Sequence, residues 1–201
     1  MSVLVKICGV TTPEDAELAI ACGADLIGLN FYPPSPRYVD YERAQTIREA
    51  IGARVIVVGL FVNAERSRID QCRRELKLDM LQFHGDEDES ALAGWPIRVI
   101  RALRVKAEIA EQAYTTSADY RLLDTFHPGL YGGTGLRLSM AWLRRADLSR
   151  TLLAGGLTAE NVAEAAALRP YAVDVAGGVE SAPGVKDAEK LRSFIANAKS
   201  A

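Results

Sequence analysis

One pattern recurs along the chain: a short β-branched run, then Gly, Asn, Asp or Pro, then an Ala/Leu/Glu/Arg-rich stretch of helical character. The runs predict strands at residues 3–8, 25–31, 54–61, 79–84, 97–102, 120–124, 151–154 and 171–176. The stretches between and after them predict helices at 13–22, 41–51, 64–76, 87–93, 107–115, 139–146, 159–168 and 187–198. Such alternation belongs to parallel strands, because parallel neighbours need a long, usually helical, return connection. Eight repeats fit a compact closed (β/α)8 TIM barrel, an α/β fold, as a single domain over residues 1–201. An open doubly wound sheet would usually place Gly-x-Gly-x-x-Gly after the first strand. The chain has Cys8-Gly9-Val10-Thr11-Thr12-Pro13 there.

Side chains alternate in and out along a barrel strand. In strand one, Val3, Val5 and Ile7 form an apolar set suited to the helix-covered face. Lys6 and Cys8 then point into the barrel, with Cys8 at its top. The same parity groups Met80, Gln82 and His84 in strand four and Tyr120, Leu122 and Asp124 in strand six. In strand eight, outward Val173 and Val175 turn Asp174 inward. Polar groups therefore gather at strand C-terminal ends, where barrel active sites lie.

Composition narrows the function. With 49% apolar and 25% charged residues and a net charge of −2, nothing favours a polyanion, and nucleic acid is an unexpected partner. No apolar run approaches the ~20 residues of a membrane helix, and no basic-then-apolar leader precedes the first strand. Three unclustered cysteines, Cys8, Cys22 and Cys72, suit a reducing cytoplasm better than a disulfide framework. Only His84 and His127 are histidines and no Cys-x-x-Cys occurs, so no metal site is expected.

Cys8 at the catalytic rim can be a buried small hydrophobe or, with Lys6 favouring its thiolate, a base or nucleophile. Asp124 ends "YRLLDT" and precedes a long loop, so it reads as an acid or as a solvated loop residue. Arg37, in the stiff, extended "FYPPSPRYVD" loop, suits a substrate carboxylate, or is a surface arginine. His84 can touch a ligand or be a satisfied structural histidine. Gly155-Gly156 and Gly177-Gly178 end the last two strands, where barrels bind phosphate, or are simply tight turns. The helix after Thr158 would add free N–H groups. Tyr131 and its neighbouring glycines read as a flap over the site.

These segments resemble phosphoribosylanthranilate isomerase of tryptophan biosynthesis. The likeness runs nearly end to end, through "KICGVT", "GADLIGLNFYPPSPRYV", "LQFHGDE", "LLDT", "PGLYGGTG", "LLAGGLTAENV" and "RPYAVDVAGGVESAPGVKD". The resemblance implies an Amadori rearrangement with Cys8 as general base and Asp124 as general acid. It further implies that Arg37 meets the anthranilate carboxylate and that the glycine pairs hold phosphate. It calls for no cofactor, and the partner is a small phosphosugar, with a monomer expected over a dimer. A non-catalytic phosphosugar-binding barrel is the alternative. Two positions depart from the family pattern: Ser139 starts helix six where aspartate is usual, and Ala176 stands where serine is usual.

Overall fold

The computed structural model describes residues 2–104, 116–124, 143 and 146–201. Eight parallel strands close into a barrel in chain order. They are β1 (Leu4–Cys8), β2 (Leu26–Asn30), β3 (Ile56–Phe61), β4 (Met80–Phe83), β5 (Arg98–Arg104), β6 (Tyr120–Asp124), β7 (Thr151–Ala154) and β8 (Ala172–Val175). The described helices are α1 (Pro13–Ala21), α2 (Tyr41–Ile51), α3 (Arg66–Glu75), α4 (Glu89–Leu92), α5 (Val162–Ala166) and α6 (Ala188–Lys199). Among the described residues, no helix is long and apolar enough to cross a membrane. The predicted helix at 107–115, most of that at 139–146, and the flap residues Tyr131 and Ser139 lie outside the described residues.

Local chemistry explains the element starts. Thr12 accepts the Asp15 N–H at 3.1 Å with Pro13 next in line, and Asp40 accepts the Arg43 N–H at 2.8 Å. Asp187 accepts from both Glu189 and Lys190 at 3.0 Å, so α1, α2 and α6 each start on a side-chain acceptor. A second use of aspartate recurs at the strand starts. Asp25, Asp79 and Asp119, each just before an even-numbered strand, accept the N–H of Val5, Val57 and Val99 in the preceding odd strand. These bonds fix the register between strand pairs at 2.8–2.9 Å.

The parity expected from sequence appears as two apolar clusters. Val5, Ile7, Ile27, Val57, Leu81, Val99, Leu123 and Val173 pack outward against the helices. Leu26, Val58, Met80, Ile100, Leu122, Leu152 and Ala172 fill the barrel. Each fully buried aliphatic side chain contributes roughly 1.5–3 kcal/mol through removal from water. Lys6, Gln82 and Asp174 are buried polar side chains among them.

After β8 come features absent from the predicted elements. A 3-10 turn (Gly177–Val179) leads into an antiparallel pair, β9 (Glu180–Ala182) and β10 (Val185–Lys186). Pro183-Gly184 joins the two, with Gly184 at φ +84°. Pro followed by a positive-φ glycine is a turn signal that the sequence did carry.

Candidate active site

Cys8 ends β1, and its ladder neighbour is Gly28 in β2. A Cβ on Gly28 would lie 3.0 Å from Cys8 Sγ and 3.3 Å from Lys6 Nζ. Glycine weakens a strand, and here it makes the space that thiol and ammonium occupy. Gly9 and Val10 both donate their N–H to the Gly28 carbonyl, at 2.9 and 3.2 Å, which closes the turn after the thiol.

Lys6 is buried and donates from Nζ to Asp174 Oδ1 at 2.7 Å. Lys6 does favour the Cys8 thiolate, as expected from the sequence, but it does not act alone. Burial pushes the thiol up most strongly, Lys6 pulls it down, and the Asp174 carboxylate pushes it up again; the thiol ends above its ordinary value. Burial also opposes charge on Lys6, but Asp174 and Cys8 outweigh it and hold the ammonium above its usual range.

Asp124 ends β6, on the parity of Tyr120 and Leu122, whose side chains belong to the barrel interior. Its Oδ2 lies 3.8 Å from Nε2 of His84, the residue after β4. His84 Nδ1 is 3.1 Å from Gln82 Nε2. With the amide assigned so that Nε2 donates, the proton of a neutral His84 ring is on Nε2, facing Asp124. His84 therefore has a structural partner below it and a carboxylate beside it at the mouth.

The Pro-rich segment folds back as a turn over residues 33–37, where the sequence predicts an extended loop. The cause is Ser35. Its hydroxyl accepts from Asn30 Nδ2 at 3.0 Å and from the Arg37 N–H at 3.1 Å, while Val39 N–H returns to the Asn30 carbonyl. Arg37 is thereby threaded between the glycines that follow β1 and β8. A Cβ on Gly9 would lie 2.5 Å from Arg37 Cδ, and one on Gly177 would lie 3.3 Å from Nη2. The guanidinium is half-buried, with Nε and Nη2 donating to Glu180 Oε1 and Oε2 at 2.7 and 2.6 Å.

The two glycine pairs have different causes. Gly155 and Gly156 hold φ +89° and +64°, where a Cβ is disfavoured. Gly178 has no such dihedral, but a Cβ on it would overlap the Leu157 carbonyl. It therefore lets the loops after β7 and β8 touch. The predicted helix start near Ala159 is corrected: α5 begins at Val162. Asn161 is the reason. Its Oδ1 accepts the Thr158 N–H at 2.9 Å and its Nδ2 donates to the Gly156 carbonyl at 3.1 Å, so the Thr158 donor already has a partner. Ala176 carries no side-chain cap, and its carbonyl accepts from Val179 N–H and Lys186 Nζ, each at 3.4 Å.

Thiol, carboxylate, imidazole and guanidinium thus surround one end of a closed parallel barrel. A family model described as N-(5'phosphoribosyl)anthranilate (PRA) isomerase matches residues 5–197. The chain belongs to that family. An N-(5'-phosphoribosyl)anthranilate isomerase of Acidithiobacillus ferrooxidans is 49% identical over 203 residues, covering 98% of each chain. The phosphoribosyl anthranilate isomerase of Thermus thermophilus has 39% identity and a TM-score of 0.86, covering 98% of this chain and 99% of its own. A third relative was solved with reduced 1-(o-carboxyphenylamino)-1-deoxyribulose 5-phosphate, at 36% identity, TM-score 0.81, and 99% and 100% coverage. A dimeric Thermotoga maritima enzyme, crystallised as generated monomers, has 35% identity, TM-score 0.80 and the same coverage.

Sequence reasoning met Glu180 and Lys186 only as part of the "GVESAPGVKD" segment and gave neither a role. Lys186 Nζ donates to Glu180 Oε1 at 2.9 Å and to the Cys8 carbonyl at 2.7 Å. The buried side of Arg37 is therefore a chain of charges reaching back to the thiol's own backbone.

Proposed function

We propose that the chain catalyses the Amadori rearrangement of N-(5-phosphoribosyl)anthranilate to 1-(2-carboxyphenylamino)-1-deoxyribulose 5-phosphate. Asp124 protonates the furanose ring oxygen, and the ring opens to a Schiff base. Cys8 then removes the C2′ proton, and the resulting enolamine tautomerises to the ketone. Arg37 receives the anthranilate carboxylate. His84 lines the site beside Asp124, and backbone N–H groups near Gly155, Gly156, Gly177 and Gly178 hold the phosphate.

One observation carries this reading. Cys8 and Asp124 end strands β1 and β6, at the same end of a closed parallel barrel. An acid and a base at one mouth are sufficient for an aldose–ketose shift. Family membership favours the enzyme over a non-catalytic phosphosugar-binding barrel.

The proposal extends to a single barrel domain over residues 1–201, acting as a cytoplasmic monomer. Three free cysteines support a reducing compartment. Among the described residues, the exposed large hydrophobics are Tyr32, Tyr41 and Val185, little apolar surface for a stable dimer. Light scattering at micromolar concentration tests the monomer. The reaction is tested by making the substrate in situ from anthranilate and phosphoribosyl pyrophosphate and following its fluorescence. Enzyme-dependent loss of the signal is expected; a stable signal at high enzyme concentration overturns the reading.

A further inference from the structure

Arg37 has five N–H donors in one plane. Glu180 engages the edge formed by Nε and Nη2, leaving the edge formed by Nη1 and the second Nη2 hydrogen. That remaining edge is itself a fork fitted to a second carboxylate. A guanidinium between two carboxylates would, taken alone, form a net negative group once both were bound. Lys186 alters this balance. Its ammonium is buried, 2.9 Å from Glu180 Oε1, so the row Lys186–Glu180–Arg37 carries two cations and one anion. The row presents one net positive charge at its exposed end, and that end is Arg37, whose side chain is 26% exposed against 4% for Glu180 and 0% for Lys186.

We infer that Glu180 and Lys186 are positioning residues for substrate-carboxylate recognition: Glu180 clamps one edge of Arg37 so that the other faces the mouth, and Lys186 restores the positive charge that Glu180 would cancel. The inference rests on the reading that Arg37 meets the anthranilate carboxylate. Neither residue touches substrate in this scheme. Burial alone would raise the Glu180 carboxyl, but hydrogen bonds from Arg37 and Lys186 reverse this and hold it below the usual carboxylate range, so it is ionised at neutral pH. The glycines flanking Arg37 serve the same geometry, because Gly9 and Gly177 leave the channel through which its side chain reaches Glu180. The four residues of the turn and hairpin, Pro183, Gly184, Val185 and Lys186, then return the ammonium to its place beneath the carboxylate.

The test compares two ligands, reduced 1-(2-carboxyphenylamino)-1-deoxyribulose 5-phosphate and its phenylamino counterpart without the carboxylate. Dissociation constants are measured for the native chain and for Arg37→Ala, Glu180→Gln and Lys186→Met. Glu180→Gln and Lys186→Met should each weaken the carboxylated ligand about tenfold, the scale of one charge-assisted hydrogen bond, with less than about twofold change for the other. In an Arg37→Ala background the Glu180→Gln loss should vanish. Should either single variant leave a lone buried charge and fail to fold, Glu180→Gln/Lys186→Met removes both charges. It should show the same selective loss, since Arg37 is then unclamped. Equal weakening of both ligands, or of neither, makes the pair merely structural and overturns the inference. If Arg37→Ala itself discriminates but the Glu180 and Lys186 variants do not, only this inference fails. If Arg37→Ala binds both ligands normally, the carboxylate is held elsewhere, and the role proposed for Arg37 falls with it.

Discussion

Lys6 and Asp174, 168 residues apart, meet at 2.7 Å inside the barrel, and both charges act on the thiol above them. Burial raises the Cys8 thiol most; Lys6 favours the thiolate, and Asp174 opposes Lys6. A thiol whose folded pKa exceeds its unfolded value binds its proton more tightly when folded. Stability from this source is full below the unfolded thiol pKa and is lost as pH rises through the folded one. The same shift keeps Cys8 protonated at neutral pH, so kcat/KM should climb into the alkaline range. Asp174→Asn removes the opposing anion and leaves Lys6 to pair with the thiolate. In a Cys22→Ser/Cys72→Ser background, the pH midpoint for Cys8 alkylation by iodoacetamide should move down. An unchanged or higher midpoint removes the pair from control of the thiol.

In the proposed mechanism Cys8 and Asp124 act on one reaction, which limits how their losses combine. Cys8→Ser and Asp124→Asn should each lower kcat by about 10²–10⁴-fold while leaving affinity for the product analogue near normal. The double variant should fall well short of the product of the two losses. Near-normal turnover in Cys8→Ser would exclude it as the base, and a trapped sugar–cysteine adduct would make it a nucleophile instead.

The proposed steps need only side-chain acid and base. Exhaustive dialysis against a chelator should therefore leave turnover unchanged. Activity lost on dialysis and restored by a single divalent ion would refute that expectation.

Two strand glycines separate packing from chemistry. Gly28 faces Cys8 and Lys6 within the barrel, whereas a Cβ on Gly59 would meet Leu78 Cδ1 at 2.5 Å and the Phe61 ring at 2.9 Å. Leu78 and Phe61 belong to the outer cluster. Both Gly→Ala changes overpack and should cost about 1–3 kcal/mol in urea unfolding. Gly28→Ala alone should also cut kcat more than tenfold by displacing the thiol. Equal turnover in the two variants would show that the room beside Cys8 is not what Gly28 provides.

The parts of this site that were legible in the sequence follow a period of two. Alternation along β1, β4, β6 and β8 was enough to turn Lys6, Cys8, Gln82, Asp124 and Asp174 inward, because parity is a local property of a strand. What was not legible is non-local. Arg37 and Glu180 lie 143 residues apart, and nothing near either one announces the other. The pairing of Lys6 with Asp174 was equally hidden, because the partner lies on the strand that closes the barrel. The pair β9 and β10 has three and two residues, too short to show alternation, and only Pro183-Gly184 marked it. Asn161 delayed α5 because an Asn side chain can take over a neighbouring backbone donor, which propensity does not register.

The loops after β7 and β8 touch only because Gly178 lacks a side chain. Ladder pairing between these strands ends at Leu153 and Val173, so beyond it the two chain segments are free to diverge and meet again at Leu157 and Gly178. A phosphate held by both loops depends on that contact, since donors from either loop alone cover one side of it. Gly178→Ala must push the Leu157 carbonyl away and separate the donors. The expected result is a KM raised at least about tenfold, the loss of roughly one charge-assisted hydrogen bond, with kcat much less affected. Inorganic phosphate should inhibit the native enzyme competitively and lose most of that effect in the variant. If inhibition by phosphate persists unchanged in Gly178→Ala, the anion is bound elsewhere on the rim.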